Sequence, residues 1–267
     1  MLPSMAEPAP PAGPSSQDTT SFGFREVSAE EKRSLVRSVF ESVAGRYDMM
    51  NDLMSGGIHR LWKATMIDWL RPRAGQHFID VAGGTGDIAF RIWERLRTGG
   101  DRTASRVVVC DLTPAMLAVG RDRAIDRGIL RGIEWINGDA ENLPFADRSF
   151  DVYTVAFGWR NLTHLEQALA EARRVLSPGG RLLCLEFSHV AVPVLDRLYD
   201  LYSFQVLPLL GEIVAHDRPA YQYLVESIRR FPRQDELAQR MAAGGFDRVT
   251  FRNLTGGIAA LHSAWRI

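Results

Sequence analysis

A glycine-rich turn, three aspartates and an arginine–asparagine pair carry most of the chemistry open to this chain. The stretch from Phe78 to Asp87, F-I-D-V-A-G-G-T-G-D, reads as a buried strand that runs into a glycine turn and opens a helix. With no side chains at Gly83, Gly84 and Gly86, a ligand can lie against the main chain and meet the free N–H groups at the helix start. Gly84, Gly86 and Ala89 fit G-x-G-x-x-A, which suggests a dinucleotide. Asp80, Ala82, Gly84 and Gly86 fit D-x-A-x-G-x-G, which suggests S-adenosylmethionine. A glycine triplet alone is also an ordinary structural turn at a strand-to-helix junction.

The next two aspartates weigh on that choice. Asp111 closes the apolar run R-V-V-V-C-D, where either cofactor class presents a ribose diol. Asp139 follows a third strand, in N-G-D-A-E-N-L-P-F, placed to receive an adenine amino group. Each one singly is a common turn former. Together with Asp80 they fall after three successive strands, on the carboxyl edge where open α/β sheets bind ligands, and this favours an adenosyl sulfonium.

The elements that must hold these residues are legible as alternating strand and helix patterns from Gln76 onward, which call for a parallel sheet covered by helices on both faces. Strands are expected near 76–82, 106–111, 133–137, 150–157 and 181–187, the last entered through a turn at S-P-G-G, 177–180. Helices are expected near 86–96, 113–127, 164–176 and 234–243, and two closing strands near 246–253 and 257–266. Ahead of the sheet, residues 22–74 read as a helical cap. Its first helix starts at Ser28, where S-A-E-E supplies an N-cap with a glutamate three residues on, and stops near Gly45. Its second runs from about Ile58 to Leu70 and breaks before Arg71-Pro72. Residues 190–232 interrupt the rhythm as a helical insertion rich in aromatics. Residues 1–21, rich in Pro, Ala and Ser, read as a disordered tail before a single domain, 22–267.

Composition excludes several functions. Lys+Arg and Asp+Glu both number 32, so no overall basic field argues for nucleic acid. Lys32 and Lys63 are the only lysines, and neither adjoins a motif suited to Schiff-base chemistry. The six histidines show no H-x-x-x-H spacing and the two cysteines no C-x-x-C, which gives a protein-bound metal little support. Cys110 and Cys184 lie inside strand-like runs, as buried thiols in a reducing, cytoplasmic setting do. No run approaches the roughly 20 apolar residues that span a bilayer, so a soluble protein is expected.

Several longer motifs narrow the reading. F-G-F at 22–24, Y-D-M-M-N-D-L-M-S-G-G-I-H-R-L-W-K at 47–63, D-V-A-G-G-T-G-D, F-G-W-R-N, L-S-P-G-G-R-L-L-C-L-E-F and R-P-A-Y-Q-Y-L-V-E-S-I-R-R-F-P together resemble the ubiquinone/menaquinone biosynthesis C-methyltransferase family. The resemblance covers about residues 22–267. It implies a Rossmann-like, seven-stranded, mostly parallel sheet whose last two strands form an antiparallel hairpin. It implies S-adenosylmethionine as cofactor and methylation at a ring carbon of a polyprenylated quinol, a methoxybenzoquinol or a demethylmenaquinol. Family cofactor positions fall on Thr85, Asp111, Asp139 and Ala140. A further one, usually a serine, is Ala156 here, so a hydroxyl contact is lost.

Carbon methylation needs an electron-rich ring and a route for protons rather than a metal. Arg160 and Asn161, at the carboxyl end of the fourth strand, are expected to stabilise and orient a phenolate. The competing reading of Arg160 is a solvent-facing or carboxylate-paired arginine. Arginine is a poor base, so Tyr47, Asp48 or His59, or a water they hold, is expected to handle the proton. The segment 198–215, with Tyr199, Tyr202, Phe204, Leu207, Leu209 and Leu210, offers a wall for the polyprenyl tail or a peripheral contact with the inner face of the membrane; core packing or a homodimer face is the plainer reading. Quinone-pathway enzymes are the expected protein partners. Two rival functions are an NAD-dependent oxidoreductase built on the same glycines and a non-enzymatic scaffold of the quinone pathway.

Overall fold

Alternation along the central strands sorts the core into two layers. The computed structural model describes residues 19–43, 51–52, 55–98, 104–190 and 218–267. It opens with a short hairpin, β1 (Thr19–Phe22) and β2 (Arg25–Ser28), and then α1 (Ala29–Val43) and α2 (His59–Leu70). β3 (His77–Val81), α3 (Asp87–Thr98), β4 (Arg106–Asp111), α4 (Pro114–Asp126) and β5 (Ile133–Asn137) follow. The chain continues through β6 (Phe150–Ala156), a 3-10 turn at Trp159–Asn161, α5 (Leu165–Val175) and β7 (Leu176–Phe187). It closes with α6 (Arg218–Arg230), α7 (Gln234–Ala243), β8 (Asp247–Leu254) and β9 (Ala259–Trp265).

Seven of these strands form one sheet in the order β5-β4-β3-β6-β7-β9-β8, parallel except where β9 pairs antiparallel with β7 and β8. Phe78, Val107, Val109, Val152 and Leu183 face one layer with α2, α3 and α6, whereas Ile79, Val81, Val108, Tyr153 and Cys184 face the other with α5 and α7. The chain winds outward from β3 to β5 and then returns to β6 on the other side of β3. That reversal opens a crevice at the carboxyl ends of β3 and β6, the place where such sheets bind ligands.

Local chemistry fixes the element ends much as the sequence suggests. Ser28 Oγ accepts the Glu31 amide at 3.2 Å, and Glu30 and Glu31 sit in the first turn of α1, where the helix dipole favours them. α2 ends at Arg71, left-handed at φ 54°, just before Pro72. Three expectations change. The expected disordered tail reaches too far, because Thr19–Ser21 already lie in β1, paired with β2. The 22–74 cap therefore carries a strand hairpin as well as helices; its Gly45 stop lies outside the described residues. The S-P-G-G turn is a bulge inside β7 rather than its entrance: register jumps from Phe150↔Leu176 to Val152↔Arg181. Of the insertion at 190–232, α6 is helical as expected, while 191–217 falls outside the described residues.

The F-G-F motif is the tip of the β1–β2 hairpin and docks on α6. Phe22 stacks on Tyr223 with ring centres 4.1 Å apart, and Glu226, one turn further along α6, accepts the Phe24 amide at 3.0 Å. Gly23 has φ +57°, which favours glycine, and a Cβ there would lie 2.1 Å from Glu226 Oε2 and displace that carboxylate from the Phe24 amide.

Candidate functional site

Two cavities meet along the carboxyl edge of the sheet. The first is built on the glycine turn. Asp111, half-exposed at the end of β4, accepts the Gly84 amide at 2.9 Å and the Thr113 amide at 2.8 Å, which ties the turn to the start of α4. Burial pushes its carboxyl up while those two N–H groups pull it back. Asp139 accepts the Glu141 amide at 2.9 Å through Oδ1, and its Oδ2 stands 3.9 Å from Arg33 Nε. Gly84, Asp111, Asp139, Ala140 and Asn161 wall this cavity, and Val36 and Phe40 of α1 roof it. Gly84 has φ +54°, and a Cβ there would point into the space between Met116 and Asp111, so the bare backbone is what leaves the floor open.

This donor set suits an adenosyl group: two carboxylates for hydroxyl and amino donors, an apolar roof, and a floor of main chain. The open volume is about 90 Å³, lined on one side by Val36, Arg37 and Phe40 of α1. Ala82 and Phe157, non-glycine residues that end β3 and β6 at this cavity, have φ of 50° and 61°. Such backbone costs of order 1–3 kcal/mol per residue and tends to concentrate at binding sites.

Other sequence-predicted cofactor residues lie beneath the cavity rather than in its wall. Asp80 is fully buried, accepts Thr154 Oγ1 at 2.9 Å through Oδ1, and has no hydrogen-bond partner on Oδ2 among the described residues. Burial lifts its carboxyl to about 7. Gly83 packs against that carboxylate: a Cβ on it would come within 2.7 Å of Asp80 Oδ2. Thr85 is buried and accepts Arg123 Nη1 at 3.0 Å, joining α4 to the turn. Gly86 leaves room for the Trp135 ring, which a Cβ would meet at 2.5 Å. Ala156 pairs with Leu185 and packs on the core, and Phe157 and Gly158 line the cavity in its place.

The second cavity, of about 390 Å³, lies beyond Arg160. Arg160 is buried and ion-paired: Nη1 reaches Glu186 Oε2 at 3.1 Å and the Phe157 carbonyl at 2.5 Å. The carboxylate-paired reading of this arginine therefore holds, yet its Nε and Nη2 have no hydrogen-bond partner among the described residues. Two buried donors without acceptors are costly unless a ligand or water meets them. Burial pushes the Glu186 carboxyl up, and the Arg160 charge opposes that shift. Asn161 accepts the Tyr223 hydroxyl at 3.0 Å, so α6 holds its amide in one orientation.

Of the proton-handling candidates, Tyr47 and Asp48 lie outside the described residues. His59 is buried, binds Asp52 at 2.8 Å, and lines a separate pocket with Asp87, Arg91 and Arg123 rather than either cavity. Burial lowers its tendency to charge.

Sequence reasoning missed Lys32, Glu141 and Glu186, and left open whether Tyr223 meets substrate or only packs. Lys32, dismissed because no motif surrounds it, donates from Nζ to the carbonyl of Leu162 at 2.5 Å, directly after the arginine–asparagine pair. Glu141 binds the Thr163 amide at 2.6 Å and His164 Nδ1 at 2.9 Å, and so fixes the loop that follows that pair. Their signal is weak because each acts across more than 20 positions of chain.

Among solved structures, a SAM-dependent methyltransferase of Thermotoga maritima superposes with TM-score 0.61 at 18% identity, over 87% of this chain and 100% of that one. That likeness establishes the fold. The ubiquinone/menaquinone biosynthesis C-methyltransferase UbiE of Paracoccus denitrificans is 57% identical over 95% of this chain and 99% of its own length. The mitochondrial 2-methoxy-6-polyprenyl-1,4-benzoquinol methylase of Arabidopsis thaliana is 54% identical over 93% of this chain and 90% of its own. The ubiE/COQ5 methyltransferase family model matches residues 23–266. With the glycine turn and the arginine–asparagine turn both inside that span, the chain belongs to the ubiE/COQ5 methyltransferase family.

Proposed function

We propose that this protein methylates a ring carbon of a polyprenylated quinol, 2-polyprenyl-6-methoxy-1,4-benzoquinol or demethylmenaquinol, in ubiquinone or menaquinone biosynthesis. S-adenosylmethionine is the donor and supplies an activated methyl group on a sulfonium. The observation that carries the acceptor assignment is convergence. F-G-F, F-G-W-R-N and the Y-Q-Y-L-V-E-S-I-R-R-F-P helix, far apart in sequence, wall one cavity, and the buried Arg160 guanidinium lies in that wall with two N–H groups that have no partner among the described residues.

Each residue then has a task. Asp111 and Asp139 orient the adenosyl group beneath α1. Arg160, its guanidinium buried in the cavity wall, stabilises negative charge on the phenolic oxygen as it develops. Asn161, held by Tyr223, borders both cavities' junction and aligns the ring with the methyl group. The closed roof of Val36 and Phe40 excludes water from the transfer. The NAD-dependent reading of the glycine turn gives way to the family assignment.

Among the described residues no helix is long and apolar enough to cross a membrane. The polyprenyl tail is the reason to expect a cytoplasmic enzyme working peripherally at the membrane's inner face, beside other quinone-pathway enzymes. A homodimer is part of the same proposal. Purified enzyme with S-adenosylmethionine should add one methyl group to a short-chain quinol, read by mass spectrometry. Quinones extracted from a deletion strain name the ring: a demethylated benzoquinone or naphthoquinone accumulates. Normal quinones in that strain, or donor binding with no transfer to either ring, would return the scaffold reading.

A further inference from the structure

We propose that Lys32 is the general base of the reaction, taking the phenolic proton of the quinol held against Arg160; the assignment rests on the acceptor reading given above. Lys32 sits on the first turns of α1, is only 5% exposed, and walls the same cavity as Arg160 and Tyr223. Its Nζ is anchored on the Leu162 carbonyl at 2.5 Å, two residues past Arg160. Val36 and Phe40, four and eight residues further along the same helix face, line the donor cavity. One stripe of α1 thus lines both cavities.

The charged and titratable groups around Lys32 come from several elements. Arg160 follows β6, Glu141 follows β5 and His189 follows β7. Glu166 lies on α5, Tyr223, Arg229 and Arg230 on α6, Arg233 just before α7, and Glu236 and Arg240 on α7. Burial is the dominant influence: it lowers the Lys32 ammonium to about 8, against the pull of Glu141. A phenol ionises near 10 in water, and the Arg160 charge brings it closer to that value. The match is what efficient proton transfer asks for.

The other walls are less suited. Glu166 and Glu236 are bound to Arg240, His189 Nε2 meets the Phe231 carbonyl at 3.0 Å, and Glu186 is buried behind Arg160. Burial pushes the Tyr223 hydroxyl up, and it donates to Asn161.

In the step, the Nζ lone pair of neutral Lys32 takes the O–H proton and leaves the bonding electrons on oxygen as a phenolate. The ring carbon forms a bond to the methyl carbon as the S–C bond breaks, its electrons staying on sulfur. The ring C–H proton then passes to water and its electrons restore the aromatic ring. The Lys32 ammonium returns its proton to the phenolate oxygen, so one proton is released overall.

The test uses the two-lysine composition of the chain. Protein carrying 13C-lysine gives two Cε signals, assigned with Lys32→Met; Lys63, ion-paired with Asp87 at 2.8 Å, serves as the internal reference. Lys32 should titrate near 8. In quinol assays kcat/KM should rise with pH through the same value, because only the neutral amine accepts a proton. Lys32→Met should lower kcat about 100-fold or more and lose that limb, and Lys32→Arg should not restore it. S-adenosylhomocysteine binding and the melting curve report that both variants are folded. A Lys32 midpoint near the ordinary 10.4, or a Lys32→Arg enzyme with the wild-type rate and limb, overturns the base assignment alone. Wild-type enzyme that methylates no quinol overturns the acceptor reading and the base with it.

Discussion

The two cavities on the sheet edge differ in charge and in how they are assembled. The proposed donor cavity carries Asp111 and Asp139 after consecutive strands, with Arg37 of α1 also in its wall. The acceptor cavity is ringed by Lys32, Arg160, Arg229, Arg230, Arg233 and Arg240, with Glu166 and Glu236 engaged by Arg240. The sequence carries no net charge, yet the two cavities differ in their balance of carboxylates and guanidinium groups. A sulfonium is a cation and a phenolate an anion, so under the proposed assignment each cavity's balance of charge suits its reactant, with Asn161 bonded to Tyr223 between them.

Removing the acceptor-side charge should have the largest effect. Arg160→Ala is expected to reduce turnover at least about 10²–10³-fold, the range for losing a key electrostatic donor, with S-adenosylhomocysteine affinity kept. A parallel loss of donor affinity or of the cooperative melt would mean that Arg160 serves the fold through Glu186 rather than the acceptor.

A smaller and opposite pattern is expected on the donor side. Asp111→Asn should weaken S-adenosylhomocysteine about 10–100-fold in calorimetry, as for one hydrogen bond to a charged group. Affinity for quinol should change little; an equal loss on both sides would erase the division between the cavities.

The smallest effect concerns what lies beneath the donor cavity. The Asp80 carboxyl sits near 7 in the folded chain against about 3.9 unfolded. The folded protein therefore keeps a proton that the unfolded chain has lost, and stability declines as pH rises between those values. Asp80→Asn removes the decline and should raise Tm by roughly 5 °C at pH 8 and hardly at pH 4. A gain of the same size at both pH values would rule out titration as the cause.

The elements of the proposed donor side were largely legible in advance because they are local. Asp80, Gly83, Gly84 and Gly86 fall within one strand–turn–helix unit, and Asp111 and Asp139 each end a strand whose apolar run is plain. Sequence spacing did not reveal depth, however. Asp80, Thr85 and Ala156 share the right edge of the sheet but are covered by the turn, by Arg123 and by the core. The register of the pleat places a residue on a face, and only packing decides which atoms remain open.

The amino-acid order by itself determined the alternating sheet, the capped start of α1, the glycine floor and the family. Those follow from interactions between near neighbours, whose geometry is set by dihedral angles and periodicity. Tertiary structure alone decided that Lys32 meets Leu162 across 130 positions, that Glu186 holds Arg160, and that an F-G-F hairpin rests on Tyr223 and Glu226. Such contacts join segments with no common period, and they form only when the sheet closes and buries the charges that must then find one another.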